Sequence, residues 1–270
     1  MSQEVFPIRG GWRGKGADAF PVPGLPSLSV VTVSFNAAHL LERTLRSVLG
    51  QTYPNVEHIV VDGGSSDGTV ELLRRYDRRL AYWVSEPDGG IYPAMNKALE
   101  LCRGDYVWFV NAGDTLHSPD TARLMFASQA RADVYYGDTL EVDAQGRPVG
   151  HRRHRPPERL GWRDFRRGML VSHQSFVARR ALARPYDTAY RCSADYKWAL
   201  EILGRANKVA NTGLVLSDFL TGGFTRQNLR QGLVERFEIM SRRFGLGPTV
   251  ASHLALAARL GAFYLRNGRF

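Results

Sequence analysis

The first half of the chain alternates short runs of β-branched, apolar residues with segments of helical period. Leu28–Phe35 (LSVVTVSF) reads as a buried strand, and His39–Gln51 follows with Leu41, Leu45, Val48 and Leu49 on one helical face. Val56–Val61 is a second strand that ends in Asp62-Gly63-Gly64-Ser65, and Thr69–Tyr76 is helical. Ala81–Ser85 is a third strand and Ile91–Leu101 a helix. Asp105–Val110 (DYVWFV) is a fourth strand and stops at Asn111-Ala112-Gly113-Asp114. Strands alternating with helices over residues 28–130 predict βα units and a mainly parallel sheet flanked by helices, an α/β fold. Ligands bind such sheets beyond the carboxyl ends of the strands. Here those ends carry Asn36, Asp62, Glu86 with Asp88, and Asn111 with Asp114, polar residues that no core role explains.

After residue 130 the pattern loosens. Val134–Gly137 reads as a strand, and Thr139–Val142 and Val149–Arg152 can pair around the Asp143–Arg147 turn, where Gly146 supplies turn geometry. Ser175–Ala178 is strand-like, Ala194–Leu203 and Leu229–Phe244 are helical, and Phe219–Phe224 holds the loop signal Thr221-Gly222-Gly223. The second half is expected to extend the same sheet rather than to form an independent domain. Residues 1–26 are broken by Gly10, Gly11, Gly14, Gly16 and four prolines. They read as a loosely ordered arm and not as a secretory signal.

Composition narrows the class. With 44% hydrophobic and 23% charged residues, a soluble globular protein is expected. The two cysteines, Cys102 and Cys192, make neither a disulfide framework nor a zinc pattern, which suits a reducing compartment. The formal charge of +10 is concentrated at His151–Arg155 (HRRHR) and Arg163–Arg167 (RDFRR). Nucleic acid, an anionic membrane face, a phosphorylated substrate or a merely solvated basic surface all fit that charge.

Three segments carry chemistry. In Val60-Val61-Asp62-Gly63-Gly64-Ser65-Ser66-Asp67-Gly68-Thr69 a strand runs into a glycine-rich turn and a helix start, so backbone N–H groups face a potential anion. A plain strand-to-helix turn capped by Asp67 explains the same residues. Asn111-Ala112-Gly113-Asp114 offers oxygen ligands for Mg²⁺ or Mn²⁺, with Asp114 as the carboxylate, or simply a capped turn. Ser85–Lys97 (SEPDGGIYPAMNK) is dense in turn residues, with Pro93 in a helix's first turn. Asn96 and Lys97 lie one turn further on, within reach of a ribose, a phosphate or a sugar.

Together, VTVSFNAAHLLERTLRSVLGQTYPNVEHIVVDGGSSDGT and SEPDGGIYPAMNKALELCRGDYVWFVNAGD resemble the inverting glycosyltransferases of family 2, closest to the bacterial subgroup that builds capsule and exopolysaccharide. The likeness is strong over residues 28–120 and fragmentary to about residue 225. It implies a GT-A-like, Rossmann-type fold with a helical C-terminal extension. The domain division it implies is 27–225, with a nucleotide-binding half 27–130 and an acceptor half 131–225, followed by C-terminal helices over 226–270. By the same resemblance Ser34 to Asn36 and Asp62 line the base and ribose pocket, and Asn96 and Lys97 lie near the nucleotide–sugar junction; Glu86 and Asp88, from the density of turn residues around them, read as capping groups or as a pocket wall. Asn111 and Gly113 stand where the family's metal motif is usually acidic, leaving Asp114 as the sole carboxylate for a divalent cation, Mg or Mn. Asp195, in Arg191–Trp198 (RCSADYKW), matches the family's catalytic aspartate, the base that takes the acceptor hydroxyl's proton. An N-terminal helix-dipole aspartate is the competing reading of that residue. His173 and Gln174 form another family-like pair, placed to touch diphosphate or acceptor. Thr221–Arg226 resembles the family's late glycine loop, which implies a diphosphate contact for Arg226; a plain exposed arginine is the competing reading.

The implied reaction moves a sugar from a nucleoside diphosphate, UDP by default, to a hydroxyl of a glycan or lipid-linked glycan in surface-polysaccharide assembly. The implied place is the cytoplasm, peripheral on the inner face of the plasma membrane. Val250, Leu254, Ala257, Leu260 or Gly261, and Tyr264 form one helical stripe near Arg259, Arg266 and Arg269. Such a helix suits an anionic membrane, the protein's own core or a second subunit. A nucleotidyltransferase is the nearest enzymatic rival, but VSFNAAHL lacks its glycine-rich basic signature. A nucleic-acid binder leaves the acidic strand ends unexplained and shows none of the usual motifs.

Overall fold

A computed structural model describes residues 7–13, 15, 20–129, 131–152, 154–222 and 228–255. Ten strands form one mixed sheet: β1 (Ile8–Gly10), β2 (Leu28–Ser34), β3 (Val56–Asp62), β4 (Tyr82–Ser85), β5 (Tyr106–Phe109), β6 (Thr115–Leu116), β7 (Val134–Val142), β8 (Pro148–His151), β9 (Phe176–Arg179) and β10 (Val209–Leu220). Their spatial order is β1-β4-β3-β2-β5-β9-β7-β10-β6, with β8 paired to β7. The inner run β4-β3-β2-β5 is parallel. Beyond it β9 is antiparallel to β5 and β7, and β10 runs parallel to β7. The strands after residue 130 thus extend the first half's sheet.

Every residue of β2 is buried because helices cover both faces, which explains its unbroken apolar run. Alternation then assigns the layers. Val31, Val33, Ile59 and Phe109 pack against Met95 and Ala98 of α3 (Ile91–Leu101) and against α5 (Ala194–Leu203). Val30, Val60 and Trp108 face the opposite layer, which holds α1 (Ala38–Leu49), α2 (Thr69–Arg75) and α4 (Thr121–Ser128). In α1 the buried positions are Leu41, Thr44, Leu45 and Val48, the spacing of one helical stripe. The last long helix, α6 (Leu229–Phe244), returns Ile239 and Met240 to the α3/α5 layer.

Within the amino-terminal arm, the described residues Ile8–Gly10 form a strand. Ile8–Gly10 pairs antiparallel with β4, and Trp12 and Arg13 continue the contact through backbone bonds to Leu80 and Ala81. Two needs explain this: β4 has an otherwise open edge, and the buried Glu57 carboxylate requires a cation, which Arg13 supplies. The loop expected around residue 219 is corrected at its start, since β10 continues to Leu220 beside β7.

Strand order fixes where a ligand can enter. From β2 the chain steps to β3 and β4 on one side, then crosses to β5 on the other. The switch point therefore lies between the carboxyl ends of β2 and β5, where Ser34–Asn36 face Asn111–Asp114.

Candidate active site

Three parallel strands end in one lateral row: Ser34 pairs in register with Asp62, and Asp62 with Ser85. Asp62 is buried and accepts the Ser65 N–H at 2.9 Å, the Ser65 hydroxyl at 2.5 Å and the Ser85 hydroxyl at 2.6 Å. Ser65 Oγ in turn accepts the Asn36 N–H at 2.7 Å, and Asn36 Oδ1 accepts the Ser66 N–H at 3.0 Å. Asn36 holds φ of +47°, a left-handed conformation that asparagine tolerates. The network locks the ends of β2 and β3 together. It leaves the Phe35 ring 65% exposed at the same edge, next to Gly63. Asp88 accepts the Gly90 N–H at 2.8 Å at the start of α3, and Glu86 pairs with Lys97 at 2.5 Å.

At the end of β5, Asp114 is only 4% exposed. Its carboxylate accepts the Leu220 N–H and the Gln174 side-chain amide, each at 2.9 Å. Burial dominates these bonds and pushes its pKa up to about 7. Asn111 Oδ1 is buried beside this turn with no hydrogen-bond partner among the described residues. An orphaned amide oxygen and a carboxylate make a hard, oxygen-only donor set that fits Mg²⁺ or Mn²⁺. Among the described residues no group of three or more His, Cys, Asp or Glu could hold a metal ion.

Asp195 sits in the first turn of α5 and accepts the Tyr92 hydroxyl at 3.1 Å. Burial and the neighbouring Asp195 charge hold that phenol well above its ordinary range, so Tyr92 stays a proton donor to the carboxylate. His173 lies buried between Phe109, Tyr186 and Trp198, with Nε2 2.8 Å from the Tyr186 hydroxyl. Burial lowers its pKa while the Asp195 charge opposes that shift.

Sequence expectations and placement differ at several residues. Asn96 was read as a donor contact, but its amide clamps the Tyr186 backbone, donating to its carbonyl at 2.9 Å and accepting its N–H at 2.6 Å. Gln174 acts on Asp114, fixed from behind by Ser172 Oγ at 2.7 Å, and His173 is embedded among aromatic rings. Lys97 is engaged by Glu86. Arg226 lies outside the described residues. Ser85 bonds Asp62 and leads through the loop into α3, Tyr92 of α3 bonds Asp195, and Gln174 bonds Asp114.

One participant escaped the sequence reading. Glu235 of α6 is buried and accepts the backbone N–H groups of Arg191, Cys192 and Ser193 at 2.9, 2.8 and 2.9 Å. It fastens the turn that delivers Asp195. Nothing in the sequence near Glu235 marks this role, because the three backbone N–H groups it holds lie more than 40 positions away.

The model for "Glycosyl transferase family 2" matches residues 29–184, and the chain belongs to that family. An uncharacterized glycosyltransferase of Mycobacterium tuberculosis is 35% identical over 255 residues, 91% of this chain and 95% of that protein. The Bacillus subtilis glycosyltransferase TuaG, named for teichuronic acid biosynthesis, is 42% identical over 150 residues, 54% of this chain and 59% of its own. Among solved structures, S. aureus TarS in complex with UDP-GlcNAc aligns with a TM-score of 0.61 at 17% identity, covering 80% of this chain and 66% of that one. The mannosyltransferase PcManGT of Pyrobaculum calidifontis, in complex with GDP-Man and Mn²⁺, aligns at 0.59 and 20% identity, covering 90% and 79%. These neighbours share the GT-A fold with this glycosyltransferase.

Proposed function

We propose that the enzyme transfers a glycosyl group from a UDP-sugar to an acceptor hydroxyl with inversion, in bacterial surface-polysaccharide assembly. The observation that carries the reading is the placement of two carboxylates, Asp114 buried at the β2/β5 switch point and Asp195 in the first turn of α5. The donor's base lies against Phe35 and the Asn36–Asp62 turn, and its diphosphate points to Asn111 and Asp114. Asp114 and Asn111 would hold the divalent cation, whose charge offsets that of the departing diphosphate. Asp195 takes the acceptor proton while the acceptor oxygen bonds the anomeric carbon. The bond from that carbon to the diphosphate oxygen breaks, and the electron pair leaves with the nucleotide. Tyr92 orients the Asp195 carboxylate for this step. TarS with UDP-GlcNAc and PcManGT with GDP-Man and Mn²⁺ support a nucleotide-sugar donor and a metal.

A nucleotide-sugar panel read by thermal shift, with and without Mn²⁺, tests the donor. One UDP-sugar is expected to raise Tm selectively and only with metal, since a ligand of the folded state stabilises it. No response to any nucleotide contradicts the reading.

The acceptor reading is a lipid-linked glycan, with the enzyme peripheral on the cytoplasmic face of an anionic membrane. Along the helix spanning 246–255, Leu246, Val250 and Leu254 are 62%, 40% and 67% exposed at four-residue intervals. This stripe favours a lipid surface. No helix among the described residues is long and apolar enough to cross a membrane. Flotation with anionic vesicles should carry the full chain and not one truncated after Gly247. Equal flotation of both contradicts the membrane role.

A further inference from the structure

Of the ten exposed large apolar side chains among the described residues, five fall between Leu233 and Leu254. Ring contacts join their surroundings. Leu233 and Val234 of α6 stand one turn before Phe237, whose ring meets that of His253 at 5.1 Å. His253 lies between Val250 and Leu254 in sequence, on the helix spanning 246–255. At the other end of the patch, two positions before Leu246, Phe244 lies parallel to the Trp162 ring at 5.8 Å and 5°. A contiguous apolar face, unlike scattered side chains, marks a contact surface.

Trp162 gathers positive charge at the edge of that face. The guanidinium carbons of Arg163 and Arg243, from two different elements, lie 4.7 and 4.4 Å from its ring centroid. Trp162–Arg167 is a 3₁₀ turn, in which positions three apart share a side. Trp162 and Phe165 pack inward, Phe165 against Tyr196 at 5.3 Å. Arg163 and Arg166 share another side, and both are exposed, as are Arg167 and Arg243. The turn's own Asp164 is taken by the Gly161 N–H at 2.8 Å, and among the described residues no carboxylate pairs with these four arginines. The Tyr196 hydroxyl donates to Phe165 O at 2.7 Å, which fastens the basic turn to the residue after Asp195.

We propose that the 3₁₀ turn and Arg243 bind the anionic headgroups of a phospholipid bilayer whose acyl boundary meets the apolar face of the last two helices. The inference rests on the peripheral-membrane reading and adds to it a headgroup site and a lipid specificity. Charge selects this occupant. A second copy docked on the same face about a two-fold axis brings its arginines into the same interface, where like charges oppose. Lipid phosphates complement them, and each arginine near such a surface adds attraction. A soluble acidic glycan matches the arginines and leaves the aliphatic side chains in water. Docking through this turn holds the helix of Asp195 at the bilayer surface, where a lipid-linked hydroxyl is presented.

Full-length protein is tested by flotation with vesicles of phosphatidylcholine alone and of equal parts phosphatidylcholine and phosphatidylglycerol. Wild type should bind the mixed vesicles and not the neutral ones. Arg163→Gln, Arg166→Gln and Arg167→Gln combined should weaken that binding about a hundredfold, with Tm and UDP affinity unchanged. Arg163→Lys, Arg166→Lys and Arg167→Lys combined should keep it, since lysine preserves the charge. Equal flotation of the glutamine variant and wild type, or equal binding to both vesicles, overturns the headgroup site and leaves the membrane reading standing. Wild type that binds neither vesicle overturns both. Loss of binding in the lysine variant as well, with Tm lowered in both, makes the turn structural and overturns the proposal. Two further outcomes overturn it by naming another occupant. One is vesicle binding kept while binding to soluble polygalacturonate is lost, which assigns the arginines to an acidic glycan. The other is a wild-type dimer, by sedimentation, that Val250→Asp makes monomeric, which assigns the apolar face to a second copy.

Discussion

Gln174 donates its side-chain amide to the Asp114 carboxylate at 2.9 Å, across 60 positions of sequence. The bond fixes which carboxylate oxygen faces the sheet edge, and Ser172 and the Trp108 indole hold Gln174 itself at 2.7 Å each. Gln174→Ala should therefore weaken Mn²⁺ binding about tenfold or more, in line with losses on removing an outer-shell partner. Calorimetry with nucleotide present measures this, and Gln174→Glu should recover part of the loss by adding charge.

Burial raises the Asp114 pKa to about 7, above its unfolded value. The sign follows: the neutral form favours the fold, so the stability linked to this group is full below pH ~4 and is lost as pH rises through about 7. In metal-free protein Asp114→Asn should match or exceed wild type at pH 8 and lose that advantage at pH 4. Urea unfolding at the two pH values measures it. Metal affinity should climb as pH rises through the same window, because the cation competes with the proton.

Glu235 ties the Asp195 turn to α6 through three backbone bonds. Glu235→Ala leaves three N–H groups unsatisfied and should lower stability by roughly 3 kcal/mol or more. Turnover should fall while the donor KM holds, since the donor pocket is built from other strands. Glu235→Gln keeps one acceptor oxygen and should restore part of kcat, which a loss of stability alone does not explain.

Phe35 exposes its ring at the end of β2 beside the Asp62 turn. Stacking under a base is worth about 1–3 kcal/mol, so Phe35→Ala should weaken nucleotide binding roughly tenfold, and Phe35→Tyr should not. Titration of UDP measures both.

The βα units up to residue 110 were legible because each strand is buried on both faces and each helix keeps one apolar stripe. β10 was missed for a physical reason: Gly213 at φ +69° and two register shifts break its alternation. β1 is three residues long, too short for any period to show. At the site, acidic strand ends advertised Asp62 and Asp114, and the family resemblance pointed to Asp195. The partners that give each its role did not show in sequence, since Gln174, Tyr92 and Glu235 reach their targets across 42 to 103 positions. Whether a guanidinium nitrogen is buried without a hydrogen-bond partner, as at Arg152 Nη1, is likewise a property of packing.

The most direct test of the account is Asp195→Asn, with sugar transfer and UDP affinity measured on the same preparation. A proton acceptor contributes about 10²–10⁴-fold, so transfer should fall by that factor while UDP binds as in wild type. Transfer within a few-fold of wild type would show that another group accepts the proton and would contradict the assignment.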